Sequence, residues 1–283
     1  MSPLRLPWTA PGHVLAALLG LHALVLLGLL RDLPPGERLA QYPALLLGAF
    51  SPRVWPLLAP QAALSAAYLL GGLALAWPLS ALLARWNRGL LQVLGGVPPY
   101  LLLTGAVWGG LTWTQARGQD FPLSGWAPLM LGLFVGALAL PAAARTALLT
   151  RQVRAQALRA DHSRAARAMG LSETRVRRRA ARLARPGRAA ALAGEALGLA
   201  FSLSVMEGLL QFPGVGGTVF AALQSVLGDL PASGAAWADP LLPRQLLSGS
   251  LLALLALALL ASALLRAVAA RLDPRPLAGA EAG

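Results

Sequence analysis

The stretch DHSRAARAMGLS, Asp161 to Ser172, is a short polar helix pattern ended by a glycine, set between apolar runs at 127–149 and 189–210. Each flanking run is long enough to cross a bilayer, which takes about 20 residues of helix. The polar stretch is part of a longer basic segment, 145–188, with thirteen arginines against Asp161 and Glu173. A basic helical insert between two such runs is the mark of a polytopic helical membrane protein.

Composition agrees. The 283 residues are 57% hydrophobic and 12% charged, against about 25% charged in soluble domains. The expected fold is an all-α integral membrane protein of about six spans, near 13–30, 57–83, 90–113, 127–149, 189–210 and 245–266. A helical loop at 145–188 joins spans four and five. Residues 1–30 form an N-terminal segment with the first span, 57–275 a five-helix core, and 276–283 a disordered tail. The first run is long, has only Arg5 before it, and meets no small-residue cleavage site at Arg31–Pro34, so it reads as a span and not a signal peptide.

All 24 basic residues are arginine. With the N-terminus inside, nineteen fall on the inner side, while Arg31, Arg38, Arg53, Arg117 and Arg244 fall outside. That asymmetry makes the 145–188 loop and both termini cytoplasmic. Trp8, Trp55, Trp86, Trp113 and Trp126 stand near span ends as interfacial anchors. Gly71-Gly72, Gly95-Gly96, Pro98-Pro99 and Pro141 are consistent with either static kinks or a bundle that rocks.

Three readings of the basic loop compete: contact with anionic lipid, nucleic-acid binding, and docking of a protein partner. The chain carries no nucleic-acid module, so no nucleic-acid partner is expected. The pattern favours docking. Ala157, Ala160, Ala165, Ala168 and Met169 include helical spacings that give a shallow face of small side chains. Gly170 can adopt positive φ and stop the helix. Ser172 is placed to cap a second helix that runs through Arg185 to Pro186-Gly187. Helix, glycine break and second helix make an angled knuckle, which a lipid-binding loop does not require.

The segment RAARAMGLSETRV resembles the signature loop of binding-protein-dependent ABC importer permeases, whose form is Glu-Ala-Ala, three residues, then glycine. It is most similar to the dipeptide, oligopeptide and nickel branch, which runs close to RTARAKGLS. MEGLLQFPGVG (Met206 to Gly216) resembles the branch's VETVFAWPGLG, and LDPR (Leu272 to Arg275) matches the usual end of these permeases. The likeness extends from about Asp161 to Arg275, with VPPYLLL from Val97 weakly consistent. The chain departs from the branch in its proline at Pro186, in Gly208-Leu209-Leu210 after Glu207, and in a short loop from Asp32 to Trp55.

The resemblance implies that Arg164, Ala165, Ala166, Ala168, Met169 and Gly170 form a coupling helix seated in a cytoplasmic ATPase. It implies an outer gate at Glu207, Pro213, Gly214 and Gly216. The implied partners are two ABC ATPase subunits, a second permease subunit, an external substrate-binding protein and membrane lipids, in a bacterial inner membrane. The substrate would be peptide or nickel. The competing class is a non-transporting scaffold held to anionic lipid by its basic loop.

No catalytic set accompanies these features. Absence of cysteine excludes disulfides, thiolate zinc sites and a cysteine nucleophile, and absence of lysine excludes a Walker A site. His13 and His22 lie near opposite faces of one helix and His162 stands apart, so neither metal nor cofactor is expected. Two carboxylates fall in the fifth run, where an ion is costly. Glu195 reads as a structural partner for Arg188 or lipid headgroups. Glu207 is read either as structural or as part of the gate.

Overall fold

The computed structural model describes residues 22, 35–122, 127–227 and 241–273. Apart from His22, the expected first span at 13–30 lies outside the described residues, as do Trp8, Trp126 and the 276–283 tail. The described residues hold ten helices and no strand: α1 Pro35–Gly48, α2 Trp55–Leu83, α3 Arg88–Gly96, α4 Pro99–Gln115, α5 Pro128–Arg159, α6 Asp161–Ala168, α7 Glu173–Leu183, α8 Arg185–Leu209, α9 Val215–Leu227 and α10 Leu242–Leu272. The protein is an all-α membrane protein. Among the described residues α2, α5, the α7–α8 stretch and α10 are long and apolar enough to cross a bilayer.

The run expected to be one span at 90–113 is instead two helices, α3 and α4, meeting at 83°. Together they are long and apolar enough for one broken span or a re-entrant loop. The cause lies in Pro98-Pro99. Neither proline has an N–H, so the carbonyls of Leu94 and Gly95 lose the donors that a continuous helix would supply. Val97, the residue before them, is extended (φ −71°, ψ 123°), as steric conflict with a following proline demands. Asn87 starts α3 by accepting a hydrogen bond from the Gly89 amide at 2.8 Å.

By internal contacts the described residues divide into two units, those within 64–206 and 257–273, and those within 22–63 and 207–256. In the first, α5 is the spine, packing against α3, α4, α6 and α7. It runs through Pro141 as one helix and buries Met130, Phe134, Leu138 and a series of alanines. Tyr68 of α2 stacks on Phe134 with ring centroids 4.3 Å apart. One turn on, a Cβ on Gly71 would stand 2.8 Å from Val135, and one on Gly72 3.0 Å from the Leu138 Cβ. The glycine pair lets α2 and α5 approach closely, as small residues do in membrane helices.

In the second unit Val54, Ala222, Leu246 and Leu247 form a core, flanked by Tyr42, Val219, Leu242 and Leu251. The segment from Asp32 to Trp55, expected only as a short connection, contains α1. A helix this short is held by tertiary packing more than by propensity, and Tyr42 and Leu45 supply it. The His22 ring nitrogens lie 3.1 Å from the Tyr42 hydroxyl and 3.4 Å from the Ser248 carbonyl.

Gly72→Val should push α2 from α5 and lower stability by about 1–3 kcal/mol. Gly36→Ala, where a Cβ meets open space, should be near neutral. Chemical unfolding of the two variants in detergent compares them.

Candidate functional site

The basic insert folds as an angled pair of helices. α5 overruns its apolar stretch and ends at Arg159, where Ala160 turns extended (ψ 153°) before α6 begins. The buried Ser163 hydroxyl donates back to the Ala157 carbonyl at 2.7 Å, pinning that corner. After Ala168 the chain closes in a two-bond cap. The Gly170 amide donates to Arg167 at 2.9 Å and the Leu171 amide to Ala166 at 3.1 Å. Gly170 has φ +77°, the left-handed turn that this cap needs and glycine takes without strain.

α7 then begins at Glu173. Ser172 occupies the capping position, but its hydroxyl makes no capping bond. The helix ends at Leu183, two residues before the expected Arg185. Ala184 forms the break, and Pro186 lies in the first turn of α8, where a missing N–H costs nothing. Pro186 thus opens a helix and does not close one.

Glu173 bridges α6 and α7. Its carboxylate accepts from Arg167 Nε at 3.0 Å and from Arg177 Nε at 3.2 Å. Those two hydrogen bonds, Arg167 first, hold its carboxyl below the usual carboxylate range. Arg167 also reaches the Leu158 carbonyl at 3.3 Å. Arg164 lies 3.6 Å from Asp161 on an open surface, a contact of little energetic weight.

Of the six residues singled out here, Arg164, Ala165, Ala168, Met169 and Gly170 are exposed, and Met169 is 72% so. Ala166 is buried, so it seats α6 against the chain instead of forming its outer face. The outward surface is therefore a small apolar tip, Ala165, Ala168 and Met169, rimmed by arginines.

The second cluster forms a tight turn between α8 and α9. Glu207 is fully buried. Its Oε2 accepts from the Gly216 amide at 2.7 Å, at the start of α9. A helix N-terminus offers unpaired N–H groups and partial positive charge, which offset the burial of a carboxylate. The Glu207 carbonyl accepts from the Phe212 amide at 2.9 Å, so one residue clamps the turn at both ends. Gly214 has φ +151°, and a Cβ there would overlap the Glu207 carboxylate. Pro213 is exposed at the tip.

Beside this turn lies a cavity of about 740 Å³. Its wall includes Gln61, Gln211, Pro213, Gly214, Thr218 and Gln224, and no charged side chain among the described residues.

Glu195 does not meet Arg188. It pairs with Arg145 of α5, whose Nε lies 3.0 Å from each carboxylate oxygen and whose second terminal nitrogen lies 2.8 Å from Oε2. The remaining terminal nitrogen of Arg145 donates to the Gly95 carbonyl at 2.7 Å. Arg188 instead lies over the Trp77 ring, 5.1 Å from its centroid. Arg145 lies near the inner end of the 127–149 run, where that run overlaps the basic segment. The signal for its role was Pro98-Pro99, which leaves Gly95 in want of a donor.

The family model described as "Binding-protein-dependent transport system inner membrane component" matches residues 68–277. A search of curated proteins gave no match.

Two measurements test the geometry. Gly214→Ala should cost about 2 kcal/mol or more, through strain and overlap with Glu207, read as lowered thermal stability in detergent. Because the Glu173 carboxyl is depressed in the folded loop, its clasp stabilises above the unfolded value and is lost as pH falls through the folded one. Amide protection at Gly170 and Leu171 should therefore hold at neutral pH and drop on acidification below the usual carboxylate range. Glu173→Gln should lower that protection already at neutral pH.

Proposed function

The chain belongs to the family of binding-protein-dependent transport system inner membrane components, and from that premise we propose that it couples solute passage to ATP hydrolysis in partner subunits. Membership makes it a multi-pass membrane transport component and not an enzyme. The observation that carries the coupling role is the α6–α7 knuckle. A rigid, glycine-capped corner exposes Ala165, Ala168 and Met169 within an arginine rim. That surface suits a soluble partner with a shallow apolar socket and an acidic border.

In this reading the 145–188 loop lies in the cytoplasm of a bacterial cell, as do both termini, and the chain forms half of a membrane pair with a second permease subunit. Two ATPases close on ATP and move the coupling helices, and an external binding protein delivers the solute. Such coupling is reciprocal, so the loaded binding protein stimulates hydrolysis. The turn held by Glu207, with Pro213, Gly214 and Gly216, serves as the outer gate. The solute is of the peptide or nickel type.

Gly170→Asp and Ala165→Asp should leave the chain inserted but release the ATPase. Affinity purification of the tagged chain in mild detergent, with mass spectrometry of co-purifying proteins, reads this directly. Recovery of an ATPase and a second permease with the unsubstituted chain, and loss of the ATPase from both variants, is the expected result. A preparation free of ATPase even after crosslinking at the loop would favour the lipid-bound scaffold.

A further inference from the structure

Three helices meet at one guanidinium. Arg145 belongs to α5, Glu195 to α8, and Gly95 closes α3 just before the bend into α4. The Gly95 carbonyl is the one whose donor Pro99 cannot supply, and Arg145 supplies it at 2.7 Å. A Cβ on Gly95 would stand 3.0 Å from the Arg145 Cγ, so a glycine is needed for so close an approach. Six residues on, Arg151 donates to the Trp86 carbonyl at 2.5 Å. Trp86 precedes α3 and Gly95 lies in its last turn, so two arginines of α5 hold α3 near both ends.

The same helix leads to the knuckle. α5 is unbroken from Arg145 to Arg159, a rise of about 21 Å, and turns at Ala160 into α6. On the other side α7 leads through Ala184 into α8, which carries Glu195. Both helices that leave the knuckle are thus tied together at the Arg145–Glu195 pair.

We propose that Arg145 is a positioning residue of the transport cycle, passing movement of the knuckle through α5 to the bend between α3 and α4. The proposal rests on the reading of the knuckle as the ATPase-docking element. An arginine suits the task because its planar fork serves a carboxylate and a carbonyl together, where lysine offers a single point charge. The bend already lacks helical hydrogen bonds at Pro98-Pro99, so its angle can change without breaking a helical ladder.

The chain has no cysteine among its residues, so labels can be placed singly. Val93→Cys on α3 is at an exposed position, and Gly109→Cys on α4 has open space around its Cβ. The doubly spin-labelled chain is purified with its co-purifying proteins into nanodiscs. The label distance is then measured by pulsed electron paramagnetic resonance, without nucleotide and with ATP and vanadate. We expect a shift of about 2–5 Å in the otherwise unsubstituted chain. In Arg145→Ala and Arg145→Lys that shift should vanish while the ATPase stays bound and hydrolyses ATP. An undiminished shift in either variant overturns the proposal, as does an absent shift in the unsubstituted chain while its ATPase hydrolyses. Loss of ATPase binding together with the shift marks Arg145 as merely structural and overturns it too. If Arg145→Ala fails to insert, Arg145→Lys decides on the same terms. Failure of the unsubstituted chain to recover any ATPase removes the docking reading itself, and the proposal with it.

Discussion

Inside a bilayer every backbone carbonyl must find its donor within the protein, and at Pro98-Pro99 this chain removes two donors in succession. The helix cannot continue, and α3 and α4 part at 83°. Arg145 answers the Gly95 carbonyl, and Glu195 supplies its counter-charge. The bend, the close glycine and the half-buried ion pair are one solution to one problem. Removing Glu195 or Arg145 leaves the other a half-buried charge without this partner.

The same economy of charge shapes the two clusters singled out as functional. In the knuckle seven arginines between Arg164 and Arg182 repel one another, and Glu173 is the carboxylate that draws Arg167 and Arg177 together across the corner. In the α8–α9 turn the charge is negative and the compensation is backbone. Glu207 is held by the amide end of α9, in a space left by the missing side chain of Gly214. One device leaves charge in water, where it is weak and adaptable. The other withdraws it and fixes the chain path.

Much of this was legible in the residues. The apolar runs announced the helices, and the runs at 57–83, 127–149, 189–210 and 245–266 each coincide with a helix, with ends displaced by a few residues or, for α5, by a full ten. Gly170 after Met169 announced the corner, since a glycine at the end of a polar helix pattern has a known conformational use. Pro186 misled, because a proline closes a helix or opens one according to which side supplies the carbonyls. The outward face was only partly legible: Ala165 and Ala166 are indistinguishable in chemistry, yet one is exposed and the other buried.

By itself the sequence determined the class, the approximate spans and the place of the basic corner, because hydrophobic length, charge asymmetry and glycine conformation act locally along the chain. Tertiary structure alone decided who answers whom. Nothing within reach of Glu195 in the chain identified Arg145, fifty residues earlier, over the nearer Arg188. That choice depends on which helices pack side by side. Likewise Glu207 became a clamp, because the nine residues to Gly216 fold back upon it. A buried charge takes the partner that geometry brings to it, and sequence distance does not measure that.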